Sequence, residues 1–335
     1  MNYKILICSD MALAGQLDFK LSDLLNVFAS AGAEVSKVEM IGFNKEACAS
    51  AIDDAQESLI VFCENKYLDE TIIDNIQKLG SDKQMVDELA VVFKKESDII
   101  AFFPIDLDWK TLLVKVLEER KDKELKYCKF HLFGKSVESV TAELKKLQQG
   151  NDSLKFSVLG SQLLTDVYAS YKGEDNLIDN EQAKIASLFR DNLYSENDLE
   201  LCQIVFELLR IRNLKISIME GVTGGKIISK LYSKAPNFGQ VLSAGKIGKT
   251  SELDPEKIYN EAYNFLKVTL SDVVLVSSGA FDEKGLSTLL AIGDKKSIHV
   301  YKNRFNASRE DCLDMAANCA LFHLVKKLRQ NDFAF

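Results

Sequence analysis

The sequence predicts an α/β protein built from a doubly wound N-terminal domain, a small α+β middle module and an α/β C-terminal domain. Short apolar runs alternate with amphipathic stretches along most of the chain, which is typical of strands and the helices that cover them. A length of 335 residues exceeds the size at which a single core usually stops growing. We therefore predict domains at residues 1–124, 125–173 and 174–335.

The first domain is predicted from a regular alternation of strands and helices. Strands are expected at YKILIC, EVSKVEMIG and LIVFC, with helices over KLSDLLNVFASAGA and NKEACASAIDDAQES between them. Helices at 69–78, 83–95 and 109–120 and a strand at 98–103 complete the pattern. Buried strands joined by amphipathic helices predict a mostly parallel sheet that is covered on both faces.

The middle module is predicted to follow the charged run EERKDKELK at 118–126, which is typical of a linker. A strand (YCKFHLFG), a helix that begins near Ser136 and two further strands (LKFSVLG and LLTDVYASYKG) indicate a β-α-β-β unit. The segment GEDNLIDN has no apolar periodicity and marks the end of this unit.

The last domain is predicted to open with helices at 180–194 and 198–212. A strand (LKISIM), a turn (GVTGG) and a helix (KIISKLYSK) follow, and then strands at QVLSAG, DVVLVSSG and SIHVYKN. Pro255 suits the first turn of another helix, and Ser308 suits the N-cap of a terminal helix that ends near residue 329.

Composition excludes several classes of function. A net charge of -8 argues against a nucleic-acid partner, because phosphate contacts need clustered lysine and arginine. Neither an apolar stretch of roughly 20 residues nor a signal-peptide core is present, so we expect a cytoplasmic protein without a membrane partner. The 7 cysteines form no CxxC pair and are expected to be reduced core residues, and their spacing predicts no metal site.

One stretch near the C-terminus carries a recognisable pattern. FELLRIRNLKISIMEGVTGGKIISKL is similar to the C-terminal domain of the CinA (competence/damage-inducible) family, whose hallmark is a helix, a short strand and an ESCTGG turn. VVLVSSGA then stands where that family has a TGIAGP-type loop, and NRFNASREDCLDMAANCALFHLVKKL stands where it has a terminal helix. The resemblance runs in order over roughly residues 190–330.

The front of the chain also resembles this family, in its molybdopterin-binding-like N-terminal domain. YKILICSDMALAGQL stands where the family has a GTELLLGQ turn, and KFHLFGKSVESV is similar to its central module. The resemblance implies relation to nicotinamide mononucleotide (NMN) deamidases, which use a serine nucleophile, and to a metal-dependent ADP-ribose pyrophosphatase. It also implies a pyridine nucleotide or related small molecule as ligand, and a homodimer.

The family's amidase residues carry over only in part. The serine of ESCTGG corresponds to Gly221 and its cysteine to Val222, so the resemblance implies that the nucleophile is lost. A TGG turn at a helix N-terminus offers backbone N–H groups to a phosphate or a carboxamide oxygen. The residues expected to bind ligand are Glu220, Gly221, Thr223, Gly224, Gly225 and Lys249.

Lys249 matches the lysine of the family's GVVAYSNEAK-like segment, while Ala244 replaces its tyrosine. If catalysis survives, Thr223 or Ser278 is the candidate nucleophile, and Lys249 is the candidate base.

The N-terminal site is predicted to be vestigial. Ser9 and Asp10 stand where the GTELL turn has its threonine and glutamate, and the loop FCENKYLDE at 62–70 lacks the family's glycines. No cofactor is predicted outright, although Asp10 could gather with Glu64, Asp69 and Glu70 around a divalent ion.

These residues leave three functions open. In the first, the chain is a nucleotide-binding protein with degenerate catalytic sites that acts as a sensor or scaffold. Alternatively, it is an active NMN amidohydrolase with a relocated nucleophile, or a purely structural protein-interaction component.

Overall fold

The computed structural model describes residues 2–330 apart from 15, 18, 56, 80–81, 96–97, 120–124, 150–153, 162, 173–174, 198 and 249–252. The chain forms two compact units. The first comprises residues 1–128, 147–159 and 168–180, and the second comprises residues 129–146, 160–167 and 181–335. Among the described residues, no helix combines the length and apolar character that a bilayer span requires. The division into three domains stays a prediction.

The elements up to residue 119 form one six-stranded sheet with its helices. They are β1 (Asn2–Cys8), α1 (Asp10–Leu13), α2 (Leu21–Ser30), β2 (Glu34–Ile41), α3 (Lys45–Asp53), β3 (Ser58–Cys63), α4 (Asn65–Leu79), β4 (Lys83–Val86), β5 (Ala90–Lys95), β6 (Asp98–Pro104) and α5 (Trp109–Glu119). The strand order is β2-β1-β3-β6-β5-β4. Neighbours among β2, β1, β3 and β6 are parallel, while β5 and β4 continue the sheet antiparallel.

Helices cover both faces of this sheet, as predicted. Ile5 and Phe62 face α2 and α5, where they pack with Phe28 and Trp109. The alternate strand residues pack on the opposite face against α3 and α4, with Leu6 as an example. Strands that are buried on both sides explain why YKILIC and LIVFC read as continuous apolar runs.

The helix predicted at 83–95 is wrong, because β4 and β5 form an antiparallel hairpin there. Asp87 and Glu88 turn the chain with positive φ values of 50° and 59°. Val92 packs on one face of the sheet and Phe93 on the other, which is the two-residue period of a strand. Pairing with the edge of the sheet, rather than local helix preference, determines the secondary structure of this segment.

The middle of the chain contributes β7 (Leu125–Phe133), α6 (Val137–Gln148), β8 (Leu154–Ser161), β9 (Leu164–Lys172), α7 (Asp175–Leu188) and β10 (Leu193–Ser195). The four strands form a sheet in the order β10-β7-β9-β8. The helix predicted at 180–194 therefore begins and ends earlier. Its predicted end instead lies in strand β10, whose last residue, Ser195, donates its hydroxyl to Asn197 Oδ1 at 2.7 Å.

The C-terminal elements are α8 (Leu201–Ile211), β11 (Ile216–Glu220), α9 (Lys226–Lys234), β12 (Leu242–Ile247), α10 (Pro255–Thr269), β13 (Val273–Asp282), β14 (Gly285–Asp294), β15 (Ile298–Phe305) and α11 (Arg309–Arg329). The sheet order is β12-β11-β13-β14-β15. Strands β12, β11 and β13 are parallel, and β14 and β15 are antiparallel additions. One face packs on α8, α9 and α11, and the other packs on α10.

Strand β14 was missed by the sequence analysis. It follows β13 through a short turn at Glu283 and Lys284, with Asp282 paired to Gly285 across the hairpin. Gly285 has φ of +121°, and a Cβ there would lie 2.1 Å from the Phe305 carbonyl oxygen, so glycine is required. The predicted fold class, α/β, is confirmed, and the described residues form three sheets.

Candidate functional site

Glu220 is the last residue of β11, and its carboxylate caps the N-terminus of α9. Oε2 accepts hydrogen bonds from the amides of Gly225 and Ile227, each at 3.0 Å, and Oε1 accepts one from Ile228 at 2.7 Å. The Glu220 side chain is fully buried. The helix N-terminus, where an external anion was expected to bind, is therefore occupied by a carboxylate of the chain itself.

The two glycines of the TGG turn permit this arrangement. Gly224 and Gly225 have φ of +60° and +96°, a backbone region that favours glycine. A Cβ on Gly225 would lie 2.9 Å from Ile247 Cδ1, whereas nothing lies within 4 Å of a Cβ on Gly224. Gly225 is the N-cap of α9 and has no side chain to cap it, so Glu220 supplies the missing acceptor.

The only hydroxyl of the turn is held inside the protein. Thr223 Oγ1 and Ser277 Oγ are 2.8 Å apart and share a hydrogen bond, and both side chains are buried. Ser277 lies opposite Glu220 in the parallel pairing of β11 with β13, so neighbouring strand ends bring these residues together. The sequence analysis did not single out Ser277; its position at the end of the strand next to the turn was the available signal.

Ser278 does not join this group. Val274 and Val276 pack against α10, and Ser278 follows them at the same two-residue spacing on β13. Ser277 instead faces the side of the sheet that carries Thr223. The two candidate nucleophiles, Thr223 and Ser278, consequently lie on opposite faces of the sheet, and both are buried.

The remaining backbone groups of the turn are mostly paired. Gly221 N–H donates to the Ser277 carbonyl at 2.8 Å, and Gly224 N–H donates to the Gly221 carbonyl at 3.2 Å. Within the described residues, the N–H groups of Val222 and Thr223 donate to no acceptor. Of these two residues, Val222 is half-buried and Thr223 is buried. Lys249, the predicted base and ligand residue, lies outside the described residues.

At the N-terminal site, Ser9 and Glu64 are joined where β1 and β3 end. Ser9 Oγ donates to Glu64 Oε1 at 2.9 Å and accepts from the Ala12 amide at 3.1 Å, which makes Ser9 the N-cap of α1. Lys66 Nζ lies 3.0 Å from Glu64 Oε2. Burial opposes ionisation of Glu64, but the contacts with Lys66, Ser9 and the Met11 amide outweigh it and hold its pKa below the usual value.

The carboxylates around this site do not converge. Asp10 Oδ1 accepts the Phe43 amide at 3.1 Å, Glu64 faces Lys66, and Glu70 pairs with Lys45. Across the part of the chain that the structure describes, no group of three or more histidine, cysteine, aspartate or glutamate side chains could hold a metal ion. Asp10 and its neighbours therefore do not fit the metal that the family resemblance implies.

The cysteines next to this site are free thiols in the core. Cys8 lies opposite Cys63 in the pairing of β1 with β3, and Cys48 reaches the same core from α3. A hydrogen bond with the Cys48 thiol, opposed by burial, lowers the pKa of Cys8 to about 7. Burial raises the pKa of Cys63 to about 12. The predicted role of these cysteines as buried core residues agrees with their positions.

Two relatives of the chain are both described as competence-damage inducible proteins. A competence-damage inducible protein of Caldicellulosiruptor saccharolyticus is 22% identical over 241 residues, which is 63% of this chain and 58% of that protein. A protein of the same description from Caldicellulosiruptor bescii is 25% identical over 178 residues, 46% of this chain and 43% of that protein. The chain is therefore similar to proteins described as competence-damage inducible, the description that the CinA family carries. No protein-family model matches the sequence.

Solved structures of CinA-superfamily proteins match part of this chain. The structure from Enterobacter cloacae does so with a TM-score of 0.35 at 18% identity, covering 41% of this chain and 97% of that structure. The competence/damage inducible protein CihA from Agrobacterium tumefaciens gives a TM-score of 0.35 at 16% identity, covering 39% and 94%. The chain spans 58% and 43% of the two curated CinA relatives that it matches.

Proposed function

We propose that this CinA-family chain is a pseudoenzyme whose C-terminal domain binds a pyridine nucleotide, or a related small molecule, without hydrolysing it. The supporting observation is the turn between β11 and α9. Gly221 supplies no hydroxyl there, and Thr223 holds its hydroxyl in a buried bond with Ser277. Amide hydrolysis through a covalent intermediate needs an accessible nucleophile beside a base. The chain would then act as a sensor or a scaffold.

The contacts at the turn suit a neutral carboxamide better than a phosphate. The Glu220 carboxylate already takes the amides of Gly225, Ile227 and Ile228, so a second anion there would meet a buried negative charge. The amide of Val222 has no acceptor among the described residues and can donate to a carboxamide oxygen. The nicotinamide end of the nucleotide is therefore the part assigned to the turn.

The same proposal covers the N-terminal domain, which we expect to have lost the ADP-ribose pyrophosphatase activity that the family resemblance implies. That chemistry requires a divalent ion to polarise the phosphate, and Asp10, Glu64 and Glu70 are each engaged with an amide or a lysine instead. We expect no hydrolysis of ADP-ribose by the full chain, with or without added Mg²⁺ or Mn²⁺.

Calorimetric titration of the full chain with NMN, paired with an assay for released ammonia, tests the proposal. We expect saturable binding without ammonia above the buffer background. Absence of any heat or thermal shift at saturating NMN would refute the part of the proposal that concerns nucleotide binding. Ammonia release at enzymatic rates that Thr223→Ala or Ser278→Ala abolishes would show an active amidohydrolase instead.

A matched pair of variants at Gly224 tests where the nucleotide binds. Asparagine and aspartate both tolerate positive φ, and space is open around a Cβ at this position. Gly224→Asp adds a negative charge beside the turn and is expected to weaken NMN binding at least about tenfold, whereas Gly224→Asn is expected to bind nearly as wild type. Equal NMN binding by both variants would place the nucleotide away from the turn. If neither the wild type nor either variant binds NMN, the purely structural role is favoured.

The homodimer that the family resemblance implies belongs to the same proposal. Light scattering coupled to size-exclusion chromatography distinguishes a monomer of 37.5 kDa from a dimer of twice that mass. A monomer at all accessible concentrations would count against this part of the proposal alone.

A further inference from the structure

A cavity lies in the second compact unit, away from the β11–α9 turn along the chain. It is formed by the end of α7, by β10 and by the end of α11, and its volume is about 420 Å³. This volume lies within the range of small-molecule sites, roughly 300–1,000 Å³. Arg190 and Arg329 both line it.

Both guanidinium groups have N–H donors that form no hydrogen bond with the described residues. Arg329 Nη2 donates to the Tyr194 carbonyl, and arginine has five N–H donors in all. Among the described residues, no carboxylate forms an ion pair with Arg190 or Arg329, and the Arg190 guanidinium group forms no hydrogen bond. A pair of arginines with unused donors is the arrangement that recognises a phosphate or carboxylate group.

Behind the wall of the cavity beside Arg329, His131 contacts both Tyr194 and Asp166. Tyr194 and Ser195 form a bulge opposite His131 in the pairing of β10 with β7. The Tyr194 ring stacks on His131, with centroids 5.4 Å apart, and His131 Nδ1 lies 2.6 Å from Asp166 Oδ1. Tyr194 and His131 are buried, so this wall is fixed before a ligand arrives.

The polar groups of the cavity define a ligand with an anionic end and hydroxyls. Burial lowers the pKa of Arg329, while the nearby Glu196 carboxylate opposes that shift and favours the charged form. Two arginines and Glu196 leave the lining net positive. Glu196 and the hydroxyl of Ser187 can hydrogen-bond to hydroxyl groups of a ligand, and each lines the same space.

We propose that this cavity binds a small sugar phosphate, with Arg190 and Arg329 on the phosphate and with Glu196 and Ser187 on sugar hydroxyls. The proposal does not depend on nucleotide binding at the β11–α9 turn. It assigns binding alone, with no chemical step.

Calorimetric titrations of the full chain with ribose 5-phosphate, inorganic phosphate and ribose test the proposal. We expect ribose 5-phosphate to bind more tightly than phosphate, and ribose alone not to bind. Arg190→Gln and Arg329→Gln should each weaken ribose 5-phosphate at least about tenfold. Arg210→Gln makes the same charge change at an exposed arginine paired with Glu207, and it should leave binding unchanged.

Arg190 is exposed, so Arg190→Gln decides the test if Arg329→Gln fails to fold. Absence of ribose 5-phosphate binding, or equal binding by wild type, Arg190→Gln and Arg210→Gln, would overturn the proposal. Loss of binding in Gly224→Asp but not in Arg190→Gln would move the sugar phosphate to the turn and also overturn it. NMN binding lost in Arg190→Gln but kept in Gly224→Asp would support the cavity and refute nucleotide binding at the turn.

Discussion

Thr223 and Ser277 join two neighbouring strand ends through a hydrogen bond of 2.8 Å between their hydroxyl oxygens. The exposed fractions of the two residues are 1% and 0%. A hydroxyl without contact with solvent cannot meet a substrate unless the turn opens. Under the proposed function, the Thr223 hydroxyl is a structural group, and its contribution to stability can be measured.

Thr223→Val is expected to lower the free energy of unfolding by about 1–2 kcal/mol, because it removes a buried hydrogen bond at nearly constant volume. Ser277→Ala should cost a similar amount. The double variant should cost less than the sum of the two, since the second change removes a bond that is already broken. Urea unfolding measures all three, and strict additivity would show that the two hydroxyls do not interact.

Glu220→Gln is expected to lower the free energy of unfolding by about 1.5–3 kcal/mol, because a charged acceptor of three helix amides becomes a neutral amide. Glu207→Gln is the matched control, since Glu207 forms an exposed ion pair with Arg210. That control should change stability by less than about 0.5 kcal/mol. Equal effects of the two substitutions in urea unfolding would contradict capping of α9 by Glu220.

Asp294 and Lys327 form a buried ion pair between the end of β14 and α11. Lys327 Nζ lies 3.0 Å from Asp294 Oδ2, and it donates to Ser297 Oγ at 2.9 Å. Burial opposes the ionised Asp294, but the Ser297 amide, Lys327 and the Lys296 amide together hold the pKa of Asp294 below its ordinary value.

Lys327→Met should lower the free energy of unfolding by about 3–5 kcal/mol, because it leaves the Asp294 carboxylate buried without a cation. The double variant Lys327→Met with Asp294→Asn should recover much of that loss. Lys295→Met removes a lysine from an exposed pair with Asp272 and should cost at most about 1 kcal/mol. Thermal unfolding at pH 7 compares the variants, and a neutral Lys327→Met would show that the pair is not a source of stability.

The sequence predicted those parts of the fold whose signals are local. Helix α9 has the predicted limits, and Ser308 caps α11 by accepting the Asp311 amide at 3.2 Å. Asn44 likewise lies at the N-cap of α3 and accepts the Ala47 amide at 3.0 Å. Each of these features depends on residues within four positions of one another, so the local pattern is sufficient.

Features that depend on distant neighbours escaped the sequence analysis. The β4–β5 hairpin and strand β14 are fixed by the sheets that they join, and neither turn has an Asn-Gly or Asp-Gly pair to announce it. At the site, the TGG turn was found correctly, but its amides were expected to be free. Glu220 takes them because the strand end delivers its side chain to the helix start, a contact that spacing alone does not reveal.

His323 is a half-buried histidine on α11 whose ring stacks on Tyr301, with centroids 3.9 Å apart. Burial, with a smaller contribution from Lys326, lowers its pKa from 6.5 to about 4. Between these values the unfolded chain binds a proton at His323 that the folded chain does not bind. The free energy of unfolding therefore falls as the pH drops from 6.5 toward 4.

His323→Phe keeps a ring of similar shape and removes this titration, so it should flatten the acid dependence of stability. We expect the variant to retain about 1–2 kcal/mol more of its neutral-pH stability at pH 4.5 than wild type, allowing for partial exposure of the ring. Urea unfolding at several pH values between 7 and 4.5 measures the difference. His299→Phe changes an exposed histidine and should keep the wild-type slope. If His323→Phe loses stability with acid as steeply as His299→Phe, proton uptake by His323 on unfolding is not the cause.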